Sequence, residues 1–114
     1  MKIVNLMEFR RLPVGTLFMK YTPGAFEDLQ AKGETLEVDF TYENITSWVK
    51  SASSNEMFDR LLAAERDGES LLMDFDATGR DGCYENDQLF AVYEKRDVKM
   101  LIDKLYRCLV SAYY

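Results

Sequence analysis

Twelve residues, DFDATGRDGCYE from Asp74 to Glu85, place carboxylates at their first, third and last positions and a glycine at the sixth. That spacing is close to a calcium loop, in which Asp74, Asp76 and Thr78 would supply early ligands, Gly79 the bend and Glu85 a bidentate close. Three features argue otherwise. Thr78 stands where Asp or Asn is usual, and Asp81 where such loops carry an aliphatic residue. The flanks SLLM and QLFAVYE read as strands, whereas the motif needs helices. Gly79 and Gly82 are then expected at positive-φ positions of a solvated hairpin loop, with Asp favouring the turn by local hydrogen bonds. No metal and no other cofactor is expected.

The same loop gathers groups suited to binding. Arg80 offers a planar bidentate donor, Tyr84 a stacking face, and Asp81 and Asn86 further polar contacts on one exposed connection. A second candidate pair, Lys20 and Tyr21, closes a strand before the Pro23–Gly24 turn. Catalytic residues are not expected. The chain has no histidine, which removes Ser-His-Asp and Cys-His nucleophiles and any imidazole base. Its two cysteines cannot build a four-thiolate zinc site. Cys83 sits among acids that raise a thiol pKa, and Cys108 is expected to pack within a helix. The one enzymatic reading the residues offer pairs the carboxylates Asp74 and Asp76 with a divalent ion.

Positioning these residues falls to elements that the pattern outlines. Asn5 and Glu8 form a capping box for a short helix that stops before Pro13. Thr16–Tyr21 has strand composition, and TPGAFEDLQAKG reads as a loop or one helical turn. Glu34–Tyr42 alternates, with Leu36, Val38 and Phe40 on one face, which predicts a half-buried strand. Ser53 and Glu56 open a second helix whose stripe is Met57, Phe58, Leu61 and Leu62, with Gly68 as its stop. Ser70–Phe75 and Asp87–Glu94 read as strands. From Asp97 a long helix carries Val98, Leu101, Ile102, Leu105, Leu109 and Ala112 at the spacing of a helix docked on a core. The sum is one compact α+β domain over residues 1–114, a small, mostly antiparallel sheet of about four strands with two main helices packed on one face.

Of the 114 residues 47% are apolar and 13% aromatic, enough for a core, so disorder is excluded. No apolar run reaches the ~18 residues a membrane span needs, and the first residues lack the pattern of a signal peptide. Reduced thiols and a cytoplasmic location are expected. The formal charge is −6, and Glu65–Asp87 alone holds eight acids against two bases. Duplex nucleic acid is bound through Lys and Arg, so direct duplex binding is not expected, whereas a compact acidic surface attracts a basic protein face.

The stretches MEFRRLPVGTLFMKYTP and DFDATGRDGCYENDQLFAVYEKRDV resemble small accessory proteins of tailed bacteriophages and prophages, which often open with a short helix, an LPxGT turn and an aromatic strand. The two stretches hold 42 of the 114 residues, and the resemblance brings no catalytic motif. It implies expression in the cytoplasm of an infected bacterium and action by binding and blocking a host factor. Two forms of that action stay open. In one, the acidic surface inhibits a host defence protein in the manner of anti-CRISPR proteins. In the other, the chain is a sponge that sequesters a small anionic, nucleotide-like ligand, with Tyr21, Tyr84 or Phe90 stacking and Lys20, Arg80 and Arg96 as donors. A homo-oligomer is compatible with either.

Overall fold

A computed structural model describes residues 1–37, 39–82 and 85–114; Val38, Cys83 and Tyr84, all part of the sequence reading, lie outside the described residues. The elements run β1 (Lys2–Asn5), α1 (Leu6–Arg10), β2 (Leu17–Thr22), β3 (Ala25–Phe26), β4 (Gln30–Thr35), β5 (Phe40–Asn44), α2 (Ser54–Asp67), β6 (Ala77–Asp81), β7 (Leu89–Val92) and α3 (Lys95–Ala112). The protein is α+β with an antiparallel sheet, but the described residues hold seven strands and three helices rather than about four and two. The strand order is β1-β7-β2-β4-β5-β6, with β3 paired to β2.

The core lies on one face of this sheet and is made by its shortest helix. Asn5 caps α1 by accepting from the Glu8 amide at 2.9 Å, and the five-residue helix drops Leu6 and Phe9 onto the strands. Phe9 stacks on Phe90 with ring centroids 4.0 Å apart and meets Phe18 and Phe40 edge-on at 4.7 and 4.9 Å. Such edge and offset contacts add to the large apolar area each ring removes from water. Leu6 and Val92 complete the cluster.

The sheet curls around this plug. Phe18 on β2 and Phe40 on β5 have centroids 5.9 Å apart although β4 runs between them, whereas two strand spacings in a flat sheet come to about 9.5 Å.

Several expected elements fall elsewhere. The alternation over Glu34–Tyr42 does not make one strand: β4 ends at Thr35, the Leu36 amide donates to the Asp39 carbonyl at 2.8 Å, and β5 begins at Phe40. The segment expected as a loop or helical turn supplies β3 and the start of β4. Ser70–Phe75 makes only an isolated bridge, Met73 to Val49, and the strand lies downstream in β6, where the hairpin loop was expected. Strands β6 and β7 are not neighbours, so no hairpin joins them.

The largest correction concerns α2 and α3. Ser53 accepts from the Glu56 amide at 3.2 Å and Gly68 closes α2 at φ 71°, so the helix itself forms as its capping residues dictate. Yet no residue of α2 or α3 is buried, and neither helix is packed into the sheet's core. Cys108, expected to pack, is exposed.

Candidate binding cleft

A β-bulge opens the concave face. On the outer half of β2, Tyr21 pairs with Phe26 and Thr22 with Ala25; on the inner half, Leu17 pairs with Ala31 and Phe18 with Gln30. The two registers differ by one residue, so β3 and β4 are a single partner strand interrupted near Asp28 and Leu29. In a regular strand, Glu27 and Gln30 would point to opposite faces. The extra residue breaks that alternation, as bulges do where a side chain has to be re-aimed. Glu27, Asp28 and Gln30 consequently all line one cavity with Lys20.

Lys20 is the centre of this arrangement. Its side chain is ion-paired with Asp81, the last residue of β6, across the curl of the sheet and the full width of β4 and β5. The pair divides a two-lobed cleft. One lobe, about 440 Å³, has Leu6 and Phe90 as apolar floor and Lys20, Thr22, Glu27, Asp81, Glu85 and Gln88 as walls. The other, about 190 Å³, adds Asp28, Gln30 and Tyr42. Tyr42 is held over Gly79 so closely that a Cβ there would stand 2.6 Å from the ring. Gly79 therefore serves close approach, not the positive φ expected of it. Positive φ among the described glycines belongs to Gly15, Gly24 and Gly68.

The electrostatics follow from the side chains present. Four carboxylates, Glu27, Asp28, Asp81 and Glu85, face one ammonium, Lys20. Such a cleft favours a cation. Among the described residues no group of three or more acids or thiols stands close enough to hold a metal ion. The calcium-like spacing is not folded as a loop: Thr78 and Gly79 belong to strand β6, and the Asp74 carboxylate accepts from the Asp76 amide at 2.9 Å. A guanidinium or ammonium on an alkyl stem suits the space, with the stem over Leu6 and Phe90 and the head among the acids.

The sequence candidates divide accordingly. Lys20 and Asp81, sixty-one positions apart in the chain, meet. Tyr21, the next residue on β2, points to the opposite face, where its hydroxyl accepts from the Gly24 amide at 3.0 Å and its ring lies 5.9 Å from Phe26. Arg80 also faces away from the cleft and donates to the buried Asp39 carboxylate at 2.5 Å. Asn86 is exposed in the turn before β7, and Tyr84 lies outside the described residues. Sequence reasoning missed Glu27, Asp28 and Gln30, whose common orientation depends on a bulge, and Lys32. Lys32 is buried beside the Phe9 ring, 5.8 Å from its centroid, and donates to Thr35 Oγ1 at 2.9 Å and the Gly33 carbonyl at 3.3 Å. Burial holds the Lys32 pKa below its ordinary value.

No protein-family model matches this chain, and neither does any curated protein or solved structure.

Proposed function

We propose that this is a non-catalytic, phage-type binding protein that blocks a bacterial host factor by receiving a basic side chain of a protein partner in the Lys20–Asp81 cleft. The observation that carries the reading is the charge of the walls, four carboxylates to one ammonium over an apolar floor. An arginine entering there meets paired acceptors for its planar fork and an apolar bed for its stem. Proteins that handle nucleic acid carry such arginines on their working face, because they neutralise phosphates with them. An acidic cleft that occupies those groups blocks them, as an anti-CRISPR-like inhibitor of a defence protein would.

The sponge reading has less support. Of its three proposed phosphate donors, Lys20 and Arg80 already hold Asp81 and Asp39, Arg96 sits on α3 and lines neither lobe of the cleft, and a nucleotide would meet the remaining acids there.

The test combines an infection assay with native mass spectrometry of the protein purified from infected cells. Glu27→Lys with Glu85→Lys should abolish both protection of the phage and retention of a protein partner, with association slowed more than dissociation is hastened. Retention of a small molecule, lost in Arg80→Ala or Tyr84→Ala and kept in the double charge reversal, would reject the cleft in favour of the sponge.

A further inference from the structure

The exposed helices carry an inference independent of the cleft. On α3, Val98, Leu105 and Ala112 recur every seven residues, Leu101 and Cys108 do the same, and so do Ile102 and Leu109. Seven-residue recurrence in three adjacent columns marks an apolar face that needs covering, as on a core-facing helix of a bundle or a globular protein. Leu105, in the middle of the stripe, is nevertheless 59% exposed. The other long helix is in the same condition: Phe58, Leu61 and Leu62 of α2 are open to solvent, Leu61 at 44%.

The surface area says how much is missing. The chain exposes 8295 Å², while a folded monomer of 13.3 kDa exposes about 6,450 Å². The surplus of roughly 1,800 Å² is about twice the ~800 Å² that each partner contributes to a standard interface. The two exposed apolar helix faces contribute to that surplus. The radius of gyration agrees: it is 16.1 Å, against about 13 Å for a compact chain of this length.

Charge selects the occupant. Five bases and two acids give α3 a net +3, and four acids and two bases give α2 a net −2. Two α3 helices face to face would repel, whereas α3 on α2 is complementary. An anionic lipid surface would also attract α3, but everything outside α3 nets −9 and would be repelled by it.

We propose that α3 of one copy docks its apolar stripe on the α2 face of a second copy of this chain. In a reciprocal pair or a closed ring, both faces of every copy are covered.

Sedimentation velocity at tens of micromolar tests this with three samples. Wild type should sediment as a dimer or larger closed assembly. Leu105→Asp and Leu61→Asp should each be monomeric, with unchanged far-UV circular dichroism outside the helices because neither side chain is in the core. Mixing the two variants should restore association, since one supplies an intact α3 and the other an intact α2. A second pair of variants leaves the apolar residues alone: Lys104→Glu with Arg107→Glu should weaken self-association, and Asp59→Lys with Glu65→Lys on the other copy should recover it. Monomeric wild type overturns the proposal, as does a mixture of variants that stays monomeric. Binding of monomeric wild type to phosphatidylglycerol vesicles would assign α3 to a membrane surface instead.

Discussion

The three helices of this protein divide into two regions with opposite fates. Helix α1 has five residues and barely more than one turn, yet two of its side chains are buried in the phenylalanine cluster. Helices α2 and α3 have 14 and 18 residues, good caps and clear apolar stripes, and bury none. The comparison separates two properties that a sequence pattern merges. Periodicity states that a face needs covering; it does not state that the same chain does the covering. Helix α1 packs because β1, the edge strand paired with β7, leads directly into it, so the turn at Asn5 folds Phe9 back over its own strands. Helix α3 begins only after β7 has ended, with Glu94 as its N-cap, and buries none of its residues.

The largest effect expected of this contrast is on stability. Phe9→Ala removes the ring that touches Phe18, Phe40 and Phe90 and should cost about 3–5 kcal/mol in urea unfolding. Leu105→Ala, at protein concentrations low enough for the chain to be monomeric, should fall within about 0.5 kcal/mol of wild type, as surface substitutions do. Equal costs for the two would erase the distinction between the regions.

A smaller effect is expected where β6 approaches β5. Gly79→Ala drives a methyl into the Tyr42 ring, and overpacking of this kind costs about 1–3 kcal/mol. If Tyr42→Ala in the same chain fails to relieve that cost, the close approach is not its cause.

The buried lysine sharpens the account of the core's polar edge. Because burial lowers the Lys32 pKa in the folded chain, the unfolded chain takes up its proton at higher pH than the folded one. This group's contribution therefore rises as pH climbs from the depressed folded value through the ordinary 10.5. The stability of Lys32→Met relative to wild type should be most favourable near neutrality and decline toward that pH. A difference independent of pH would mean that Lys32 is solvated in the fold.

The smallest expected effect lies in α2. The Ala52 amide, first, and the Arg60 side chain, second, hold the Glu56 carboxyl below its ordinary value of 4.5. A lowered carboxylate pKa stabilises above the unfolded value and is lost as pH falls through the folded one. Helical circular dichroism should fall slightly below pH 4.5, and Glu56→Gln should remove that step while leaving the β-sheet signal unchanged.

Much of the local structure was legible in the sequence because it rests on near neighbours. Asn5 with Glu8 and Ser53 with Glu56 are three residues apart and cap the helices they predict. Gly68 stops α2, and the strand β2 lies within one residue of its expected span. What was hidden depends on partners far along the chain. The break between β4 and β5 was concealed by an alternation that happens to continue across it. Strand β6 has glycine at its centre and little apolar content, and becomes a strand only because β5 offers Thr41 and Tyr42 to pair with Arg80 and Gly79. The cleft was half legible. Lys20 and Asp81 were named for separate sites, and only the curl of the sheet joins them; Glu27 and Asp28 were invisible because a bulge has no letter code.

Residue-resolved amide exchange tests the contrast between the regions most directly. A helix in a protein draws most of its stability from the packing of its apolar face, so the α3 amides report whether anything covers it. At low micromolar concentration the amides of β2 and β7 should exchange only through global unfolding, while those from Leu101 to Ala112 exchange orders of magnitude faster. Raising the concentration should slow exchange in α3 and leave β2 and β7 unchanged. Protection of α3 equal to that of β7 at the lowest concentration would mean that the helix is packed on its own chain, and the contrast between the two regions would be lost.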